Sequence, residues 1–316
     1  MATDPRLDQA RGVSVVVCAY SLSRWILLKR ALASIAAQDA PASQTIVVID
    51  HNPELLERAR ATFAGVNVIP NAERRGLSGA RNTGVKAAIG AIVAFLDDDA
   101  HADAGWLRNL ASAYDQPSVV GSGGTINPEW EIAQPAWLPP AFNWVVGCTP
   151  PGRDTVVEVR NPIGGNMSFR REVFETAGFF TSDLGRIGTV PLGCEETELA
   201  IRATQALGGR ILHIPDAVVS HFVPSERATL GYFVRRCWAE GLSKAAIART
   251  VGRRPGASSE WIYVTRDLPI AIARDLAGVA RGDLSGLGRV AAIATGLAVT
   301  TAGYGAGSCG VRRART

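Results

Sequence analysis

The stretch that decides the fold is GLSGARNTGVKAAIGAIVAFLDDD, residues 76–99. It opens with glycines, continues in a helical pattern to about residue 90, becomes the wholly apolar run AIVAFL and ends on three aspartates. A strand that is apolar at every position is typical of a parallel sheet covered on both faces. Adjacent carboxylates repel one another unless a positive charge lies among them. The stretch therefore predicts a helix, a buried strand and a cation at the strand's carboxyl end.

The residues before this stretch repeat the same alternation. Apolar, β-branched runs predict strands at 13–20, 45–50 and 66–69, and helical patterns lie between them at 25–38 and 54–63. Strands and helices that alternate with short connections predict an α/β fold, with a mostly parallel central sheet and helices on both faces. Such sheets bind ligands beyond the carboxyl ends of their strands. Tyr20, Asp50 and the aspartates at 97–99 follow strands, so we expect them to line one crevice.

Composition narrows the class of protein. The chain has 316 residues, of which 47% are hydrophobic and 20% charged, with a net charge of +4. This composition favours a folded protein with a large core, and the scattered basic residues form no stripe that would indicate nucleic-acid binding. The five cysteines have no metal-binding spacing, and the polar start lacks the apolar run of a signal peptide. We therefore expect a cytoplasmic protein.

Two common nucleotide-binding motifs are missing at the first strand. That strand runs into CAYSLSRW, which contains no glycine, whereas a dinucleotide-binding fingerprint requires a glycine-rich turn at this point. The GSGG at 121–124 follows a later strand, and no phosphate-binding lysine loop is present in the sequence. A dehydrogenase or a P-loop nucleotidase is therefore not expected.

Five motifs together carry a resemblance to a known family. VSVVVCAYSLSRW, TIVVIDHN, GLSGARNTGVKAAIGAIVAFLDDDAHADAGWL, GGNMSFRREVFETAGFF and GCEETELAIR resemble, in this order, the family-2 glycosyltransferases of the GT-A type. The resemblance covers residues 13 to about 245. It implies a Rossmann-like nucleotide-diphospho-sugar transferase fold, an inverting mechanism, and Mg²⁺ or Mn²⁺ as cofactor. VVIDHNPEL, GCEETELAIR and RRCWAEGLSKA resemble the branch that acts on polyprenyl-linked or other lipid-linked saccharides.

The resemblance assigns the aspartates to a metal site. LDDDA is similar to the family's metal-binding motif, which implies that Asp99 is the direct ligand and that Asp97, also assigned to the metal site, lies toward the ribose or the base. Asp98 is a ligand or supports one. A divalent cation at this position neutralises the charge that develops on the leaving diphosphate. His221, in VVSHF after a later strand, is the candidate third ligand; a structural histidine is the alternative.

The nucleotide-sugar site comes from the first three motifs. Tyr20 is expected to stack on the base, and either Asp50 or His51 to hydrogen-bond its edge. Arg81 lies near a glycine-flanked helix start, which suits a diphosphate, although it also suits an ion pair with a strand-end carboxylate. The residues predicted for this site are Cys18, Tyr20, Asp50, His51, Arg81, Asn82, Asp97 and Asp98.

The catalytic base is expected in GCEETELAIR. Inverting transfer requires a carboxylate that takes the proton of the acceptor hydroxyl. The family usually has Glu-Asp here with the second acid as base, which implies Glu196, and Glu195 is the alternative. A favourable interaction of acids with the helix dipole is the simpler explanation of this cluster. The residues predicted for the acceptor and the transferred sugar are Gly164, Gly165, Asn166, Arg235 and Arg236.

The C-terminal part is predicted to be a helical tail. We expect a catalytic domain over 12–250, with a nucleotide-sugar half at 12–125 and an acceptor half at 126–250, followed by a tail at 251–316. The tail contains an amphipathic stretch and an uncharged stretch, Val290 to Val311, between arginines. This pattern favours an interfacial helical pair at a membrane surface, and a helix packed on the catalytic domain is the alternative.

The sequence as a whole predicts an inverting, metal-dependent glycosyltransferase. Its donor is expected to be a nucleotide sugar linked to UDP, and its acceptor a hydroxyl of a saccharide or lipid-linked saccharide. We expect it to lie on the inner face of the cell membrane and not to bind nucleic acid. A nucleotidyltransferase and a non-catalytic sugar-nucleotide-binding subunit of a polysaccharide assembly system are the alternatives.

Overall fold

The computed structural model describes residues 12–182, 193–250 and 260–309. Its chain separates into two compact units. Within the described ranges, the first unit contains residues 12–127, 153–182 and 195–221, and the second contains 128–152, 193–194, 222–250 and 260–309. The predicted nucleotide-sugar and metal residues all belong to the first unit.

The first unit begins with the predicted alternation of strands and helices. The strands are β1 (Val13–Ala19), β2 (Gln44–Ile49), β3 (Asn67–Pro70) and β4 (Ile92–Asp97), and the helices between them are α1 (Trp25–Ala36), α2 (Pro53–Thr62) and α3 (Leu77–Ala87). These four strands are parallel and lie in the order β3-β2-β1-β4. The predicted α/β fold of the GT-A type is confirmed, and the carboxyl ends of β1, β2 and β4 lie at one edge of the sheet.

The later strands extend this sheet in antiparallel fashion. They are β5 (Ala100–Ala102), β6 (Val119–Trp130), β7 (Val157–Glu158), β8 (Asn166–Arg170) and β9 (Arg210–Val223), and helices α4 (Trp106–Ser112), α5 (Arg171–Thr176) and α6 (Glu195–Leu207) accompany them. From β4 the order continues β8-β6-β9-β5, with β7 on β9. In the register of β5 on β9, Ala100 is opposite His221. This pairing brings His221 next to the end of the aspartate run.

An apolar core holds β4 in place. Phe95 packs edge-on against Phe180, with ring centroids 5.5 Å apart, and it belongs to a buried cluster contributed by strands and by α3, α5 and α6. Burial of a side chain of this size contributes about 1.5–3 kcal/mol. Because alternate residues of a strand point to opposite faces, the core fixes the direction in which the residues after Leu96 leave the strand.

The second unit is built from helices around aromatic side chains. Helices α7 (Leu230–Thr250), α8 (Leu268–Ala280) and α9 (Ser285–Ser308) belong to it, and Tyr263–Asp267 forms a π-helical turn before α8. Its core includes Phe142 and Phe233, whose ring centroids lie 5.4 Å apart. Among the described helices, α9 alone is long and apolar enough to cross a membrane by length and composition.

One helix of the tail, α9, packs against α7. A Cβ atom at Gly241 of α7 would lie 2.2 Å from the carbonyl oxygen of Thr300, and one at Gly303 of α9 would lie 2.5 Å from that of Trp238. The two backbones therefore approach closely through glycines. Since α7 comes before residue 250 and α9 after it, helices from both sides of the predicted boundary share one compact unit. The predicted boundaries at 125 and 250 stay a prediction.

Candidate active site

Two aspartates and a histidine form a candidate metal site. Oxygen atoms of Asp97 and Asp99 and a ring nitrogen of His221 all lie within 4.8 Å of one another. Asp97 ends β4, Asp99 follows in the turn to β5, and β9 supplies His221, whose Nε2 lies 3.3 Å from Asp99 Oδ1. Asp99 and His221 are buried, whereas Asp97 is partly exposed. Carboxylate oxygens with one imidazole fit Mn²⁺ well, and the carboxylates also fit Mg²⁺.

Arg24 supplies positive charge to two of the three adjacent aspartates, Asp98 and Asp99. Its Nη1 lies 2.7 Å from Asp98 Oδ1 and 3.1 Å from Asp99 Oδ2. Burial raises the pKa of Asp98 to about 7, although Arg24 acts against this shift, and the neighbouring carboxylates add to it. Arg24 is not among the residues that the sequence predicts for the site. Its position in YSLSRW, in the short 3-10 turn Leu22–Arg24 that follows β1, is the signal that places it near the carboxyl edge of the sheet.

Arg81 connects three of the predicted motifs. Its guanidinium donates to Glu195 over 2.6 Å and to the carbonyl oxygen of Gly164 over 3.0 Å, and it lies 3.6 Å from Asp97. A Cβ atom at Gly164 would lie 2.9 Å from Arg81 Nη2, and one at Gly165 would lie 2.8 Å from Asp97 Oδ2. The two glycines therefore leave room for these charged groups. The anticipated pairing of Arg81 with a strand-end carboxylate is present at Asp97, whereas its pairing with Glu195 was not anticipated.

The two candidate bases differ in their surroundings. Glu195, the first residue of α6, is buried and paired with Arg81, whereas Glu196 is only partly buried. The preceding residue, Cys194, has a φ of +77°, so the chain enters the helix through a left-handed residue. The carboxylate of Glu195 is thus engaged in a buried ion pair, and Glu196 lies at the more accessible position of the two.

The predicted nucleoside pocket contains one engaged and one exposed side chain. The carboxylate of Asp50 accepts hydrogen bonds from the amide of Asn71 over 2.7 Å and from the backbone N–H of Gly76 over 3.0 Å. His51, whose φ is +51°, is exposed, and its Nδ1 lies 2.9 Å from Asp50. Asp50 therefore holds the loop before α3 in place. Of the two side chains, His51 is the more accessible to a nucleotide base.

Two further residues predicted for this pocket come from β1: Cys18 lies on the strand, and Tyr20 follows its end. The Tyr20 side chain is 38% exposed, and the guanidinium of Arg24 lies 5.4 Å from its ring centroid. The guanidinium of Arg24 thus covers part of one face of the Tyr20 ring, and the rest of the ring is accessible for stacking. Burial raises the pKa of Cys18 to about 12, so its thiol is neutral at physiological pH.

Two predicted asparagines are buried and engaged inside the fold. Asn82 exchanges hydrogen bonds of 2.9 Å with the backbone of Phe180. Asn166 accepts from the indole of Trp106 over 2.8 Å and donates to the carbonyl oxygens of Thr125 and Ala217. Any part that these amides play in the site is therefore one of positioning, since their polar atoms already hold neighbouring segments together.

The two predicted arginines of α7 belong to the second unit. Arg235 is exposed. Arg236 donates to Glu240 over 3.0 Å, and its guanidinium lies 5.9 Å from the ring centroid of Trp144. Their assignment to the acceptor stays a prediction, as do the roles of the other residues predicted for the site.

Comparisons with known proteins agree with this fold. Residues 14–178 match the family described as Glycosyl transferase family 2. A glucosyl-dolichyl phosphate glucuronosyltransferase of Haloferax volcanii is 34% identical over 237 residues, which cover 73% of this chain and 76% of that protein. The succinoglycan biosynthesis protein ExoM of Rhizobium meliloti is 25% identical over 245 residues, 74% of each chain.

Two solved structures share the fold. A mannosyltransferase of Pyrobaculum calidifontis, PcManGT, in complex with GDP-Man and Mn²⁺ superposes with a TM-score of 0.58 at 22% identity, over 94% of this chain and 85% of its own. GalNAc-T7 with UDP, GalNAc and Mn²⁺ superposes with a TM-score of 0.51 at 18% identity, over 82% of this chain and 57% of its own.

The class of protein that this fold and site define is a GT-A glycosyltransferase. The family match covers more than half of the chain, and the archaeal relative matches about three quarters of both chains. The chain belongs to glycosyl transferase family 2 and is a glycosyltransferase.

Proposed function

We propose that the protein is an inverting, metal-dependent glycosyltransferase that moves a sugar from a UDP-sugar to a hydroxyl of a lipid-linked saccharide. The observation that carries the proposal is the link made by Arg81, which lies 3.6 Å from the metal-site residue Asp97 and 2.6 Å from Glu195, next to the proposed base Glu196. A donor-binding edge and a general-base helix are thereby joined through one buried side chain.

Each residue has a defined part in the proposed reaction. Asp97, Asp99 and His221 would hold Mn²⁺ or Mg²⁺, and the bound cation supplies positive charge that stabilises the leaving diphosphate. Glu196 takes the proton of the acceptor hydroxyl as the acceptor oxygen attacks the anomeric carbon. The bond from that carbon to the diphosphate breaks, and UDP leaves with the electron pair. One displacement inverts the anomeric centre and leaves no sugar on the enzyme.

The polar groups after β2 are proposed to hold the nucleoside. Asp50 fixes the loop through Asn71 and Gly76, and His51 is exposed beside it. His51 and Tyr20 are therefore proposed as the contacts to the base, with Asp50 as the residue that positions them. UDP is proposed as the nucleotide because these pocket residues resemble the family's nucleoside pocket, for which uridine is the precedent.

The acceptor class is supported by the archaeal relative. Its name describes transfer of a glucuronosyl group to glucosyl-dolichyl phosphate, a sugar on a polyprenyl-type lipid phosphate. With 34% identity over most of both chains, an acceptor of the same chemical class is proposed here. A lipid-linked acceptor resides in a membrane, so we further propose that the enzyme works at the cytoplasmic surface of the cell membrane.

Release of UDP with and without an acceptor tests the proposal. The full-length protein would be incubated with UDP-sugars and Mn²⁺, with a short polyprenyl-phosphate-linked sugar as acceptor. Acceptor-dependent release of UDP is expected, together with a product of inverted anomeric configuration. A protein that binds UDP-sugars but never releases UDP would be a non-catalytic binding subunit, and release of pyrophosphate from a nucleoside triphosphate would indicate a nucleotidyltransferase.

A thermal-shift screen identifies the donor beforehand. A ligand that binds only the folded state at a hundredfold excess over its Kd stabilises it by about 2.7 kcal/mol. We expect UDP-sugars with Mn²⁺ to raise the melting temperature and GDP-sugars to leave it unchanged. The opposite ranking would replace UDP in the proposal.

A further inference from the structure

The exposed side of α8 is apolar, with arginines along one edge. Positions 269, 273, 276 and 280 lie on one stripe of the helix, because they are spaced by four and three residues. That stripe consists of Pro269, Ala273, Leu276 and Ala280, and all four are exposed. The adjacent stripe at 270, 274, 277 and 281 is exposed too and contains Ile270, Arg274, Ala277 and Arg281. A helix that faces water would show polar residues on both stripes.

The exposed side of α9 contains no charge at all. Its exposed stripe consists of Leu287, Ala291, Ala294, Ala298, Ala302 and Gly305. Leu284, in the turn between α8 and α9, is 71% exposed, and Leu287 is 54% exposed. Only 22% of the most apolar part of α9 is buried. Exposed apolar surface of this extent marks an interaction site in a soluble domain.

The opposite side of α9 packs against the rest of the second unit. Its glycines pack against α7 and the aromatic core: a Cβ atom at Gly296 would lie 2.4 Å from the ring of Phe142, and one at Gly307 would lie 2.8 Å from Ala245 Cβ. Arg249 of α7 donates to the carbonyl oxygen of Gly307 over 2.7 Å. The glycine side therefore fixes α9 to α7, so the apolar stripe stays directed outward.

The charges of this region complement an anionic surface. Both Asp275 and Asp283 are paired with Arg289, at 2.8 and 2.7 Å. Arg274 and Arg281 lie exposed on the edge of the apolar stripe, and Trp261, 73% exposed, precedes α8. An apolar stripe flanked by arginines and an indole is the pattern of a helix that lies in the headgroup region of a bilayer.

We infer that the exposed stripes of α8 and α9, with Leu284 between them, form a docking surface for an anionic lipid bilayer. The observations on α8 and α9 support this surface by themselves, and only the use that the enzyme makes of it rests on the proposed function. Helix α7 carries four charged side chains, Arg235, Arg236, Glu240 and Lys244, so it stays outside the apolar layer of the membrane. Because the glycines of α9 fix it to α7, we expect α8 and α9 to lie along the membrane surface. The docking surface keeps the protein at the membrane in which a lipid-linked acceptor diffuses.

Co-sedimentation of the full chain with vesicles tests the docking surface without donor or acceptor. We expect binding to phosphatidylcholine vesicles that contain phosphatidylglycerol, and much weaker binding to pure phosphatidylcholine. Leu276→Asp combined with Leu284→Asp should lower binding about tenfold or more, because each aspartate places a charge in the apolar layer. Ile132→Asp is the matched control, since Ile132 is 55% exposed in the second unit outside α8 and α9.

The arginines are tested separately. Arg274→Gln combined with Arg281→Gln should weaken binding to the anionic vesicles by about 25-fold, which corresponds to about 1 kcal/mol for each arginine, and leave binding to pure phosphatidylcholine unchanged. Metal-dependent UDP binding, measured by calorimetry on every variant, shows that the fold and the donor site are intact. Failure of UDP binding in the wild type would count against the proposed function alone.

Three results would overturn the inference. The first is absence of binding to either vesicle by a wild type that binds UDP. The second is a dimer in analytical ultracentrifugation that Leu284→Asp converts to monomer, because the surface would then bind a second copy of the chain. The third is resistance of the membrane-bound protein to alkaline carbonate extraction, which would show that α9 spans the bilayer.

Discussion

Arg81 donates a buried hydrogen bond of 2.6 Å to Glu195, and this bond ties the start of α6 to α3, which follows the loop at the carboxyl edge of the sheet. Burial lowers the pKa of Arg81, but the carboxylates of Glu195 and Asp97 act against this and the net shift is upward, so the guanidinium stays charged. The bond has a direct consequence for the two adjacent glutamates, because it engages Glu195 and leaves Glu196 at the partly exposed position.

Substitution of the two glutamates should therefore have different effects. Glu196→Gln is expected to keep UDP-sugar binding and slow transfer by about 10²–10⁴-fold, the usual contribution of a general base. Glu195→Gln is expected to slow transfer less and to lower the free energy of unfolding by roughly 3 kcal/mol, because it leaves the charge of Arg81 without its buried partner. Steady-state kinetics and urea denaturation of both variants measure the two effects.

The pair of variants serves as its own control. Should Glu195→Gln be the slower enzyme and retain wild-type stability, the base is Glu195 and its contact with Arg81 is catalytic. Should neither variant slow the reaction, the base lies outside GCEETELAIR.

Asp99→Asn tests the metal site. We expect the variant to lose Mn²⁺-dependent binding of UDP while its fold stays intact, because Asp99 lies in the same cluster as Asp97 and His221. Isothermal titration of UDP in the presence and absence of Mn²⁺ measures the loss. Asp103→Asn is the matched control, since Asp103 is exposed after β5, four residues from Asp99. Unchanged affinity in Asp99→Asn would remove that residue from the metal site.

The parallel part of the sheet could be predicted because its signal is local. β1, β2 and β4 are apolar runs that end at polar residues, and β1–β4 and α1–α3 lie where the sequence places them, within a few residues. The closeness of Asp99 to His221 could not be predicted from a local pattern. It depends on the antiparallel register of β5 on β9, two segments more than a hundred residues apart. Periodicity within one segment carries no information about such pairing.

The unanticipated contacts of the site have the same cause. Arg24 lies 74 positions from Asp98, and Arg81 lies 114 positions from Glu195, so no spacing rule connects either pair. The sequence does contain the residues that make the contacts feasible, such as the glycines at 164 and 165. A Cβ atom there would crowd Arg81 and Asp97, but this reason is visible only once the segments are brought together.

Glu240 gives the second unit a predictable pH dependence. Burial by itself raises the pKa of this carboxyl, but Lys244 and Arg236 outweigh it and lower the pKa to about 2, from an ordinary value of 4.5. A carboxyl with a lowered folded-state pKa stabilises the fold above its ordinary pKa, and this contribution is lost as the pH falls toward about 2. The shift corresponds to a contribution on the order of 3 kcal/mol at neutral pH.

Urea denaturation of Glu240→Gln at several pH values measures this contribution. The variant should be less stable than the wild type at neutral pH, and the difference should shrink steadily below about pH 4.5. Glu226→Gln, at an exposed position before α7, should match the wild type throughout. A difference between Glu240→Gln and the wild type that does not change with pH would mean that packing, and not the charge of Glu240, stabilises this region.

Two glycines of the same helix test whether α9 packs on α7 in solution. A Cβ atom at Gly303 would lie 2.5 Å from the carbonyl oxygen of Trp238, whereas one at Gly305 would meet nothing within 4 Å. Gly305→Ala should stabilise the protein by up to about 1 kcal/mol, since alanine favours a helix more than glycine does. Gly303→Ala gains the same helix propensity but must push the two backbones apart, at a cost of about 1–3 kcal/mol. Its net effect should therefore be destabilising.

Urea denaturation of the Gly303→Ala and Gly305→Ala variants, in the absence of lipid, compares their free energies of unfolding directly. Equal stabilisation by both substitutions would show that α9 does not lie against α7, and a helix free of α7 would be available to insert into a membrane.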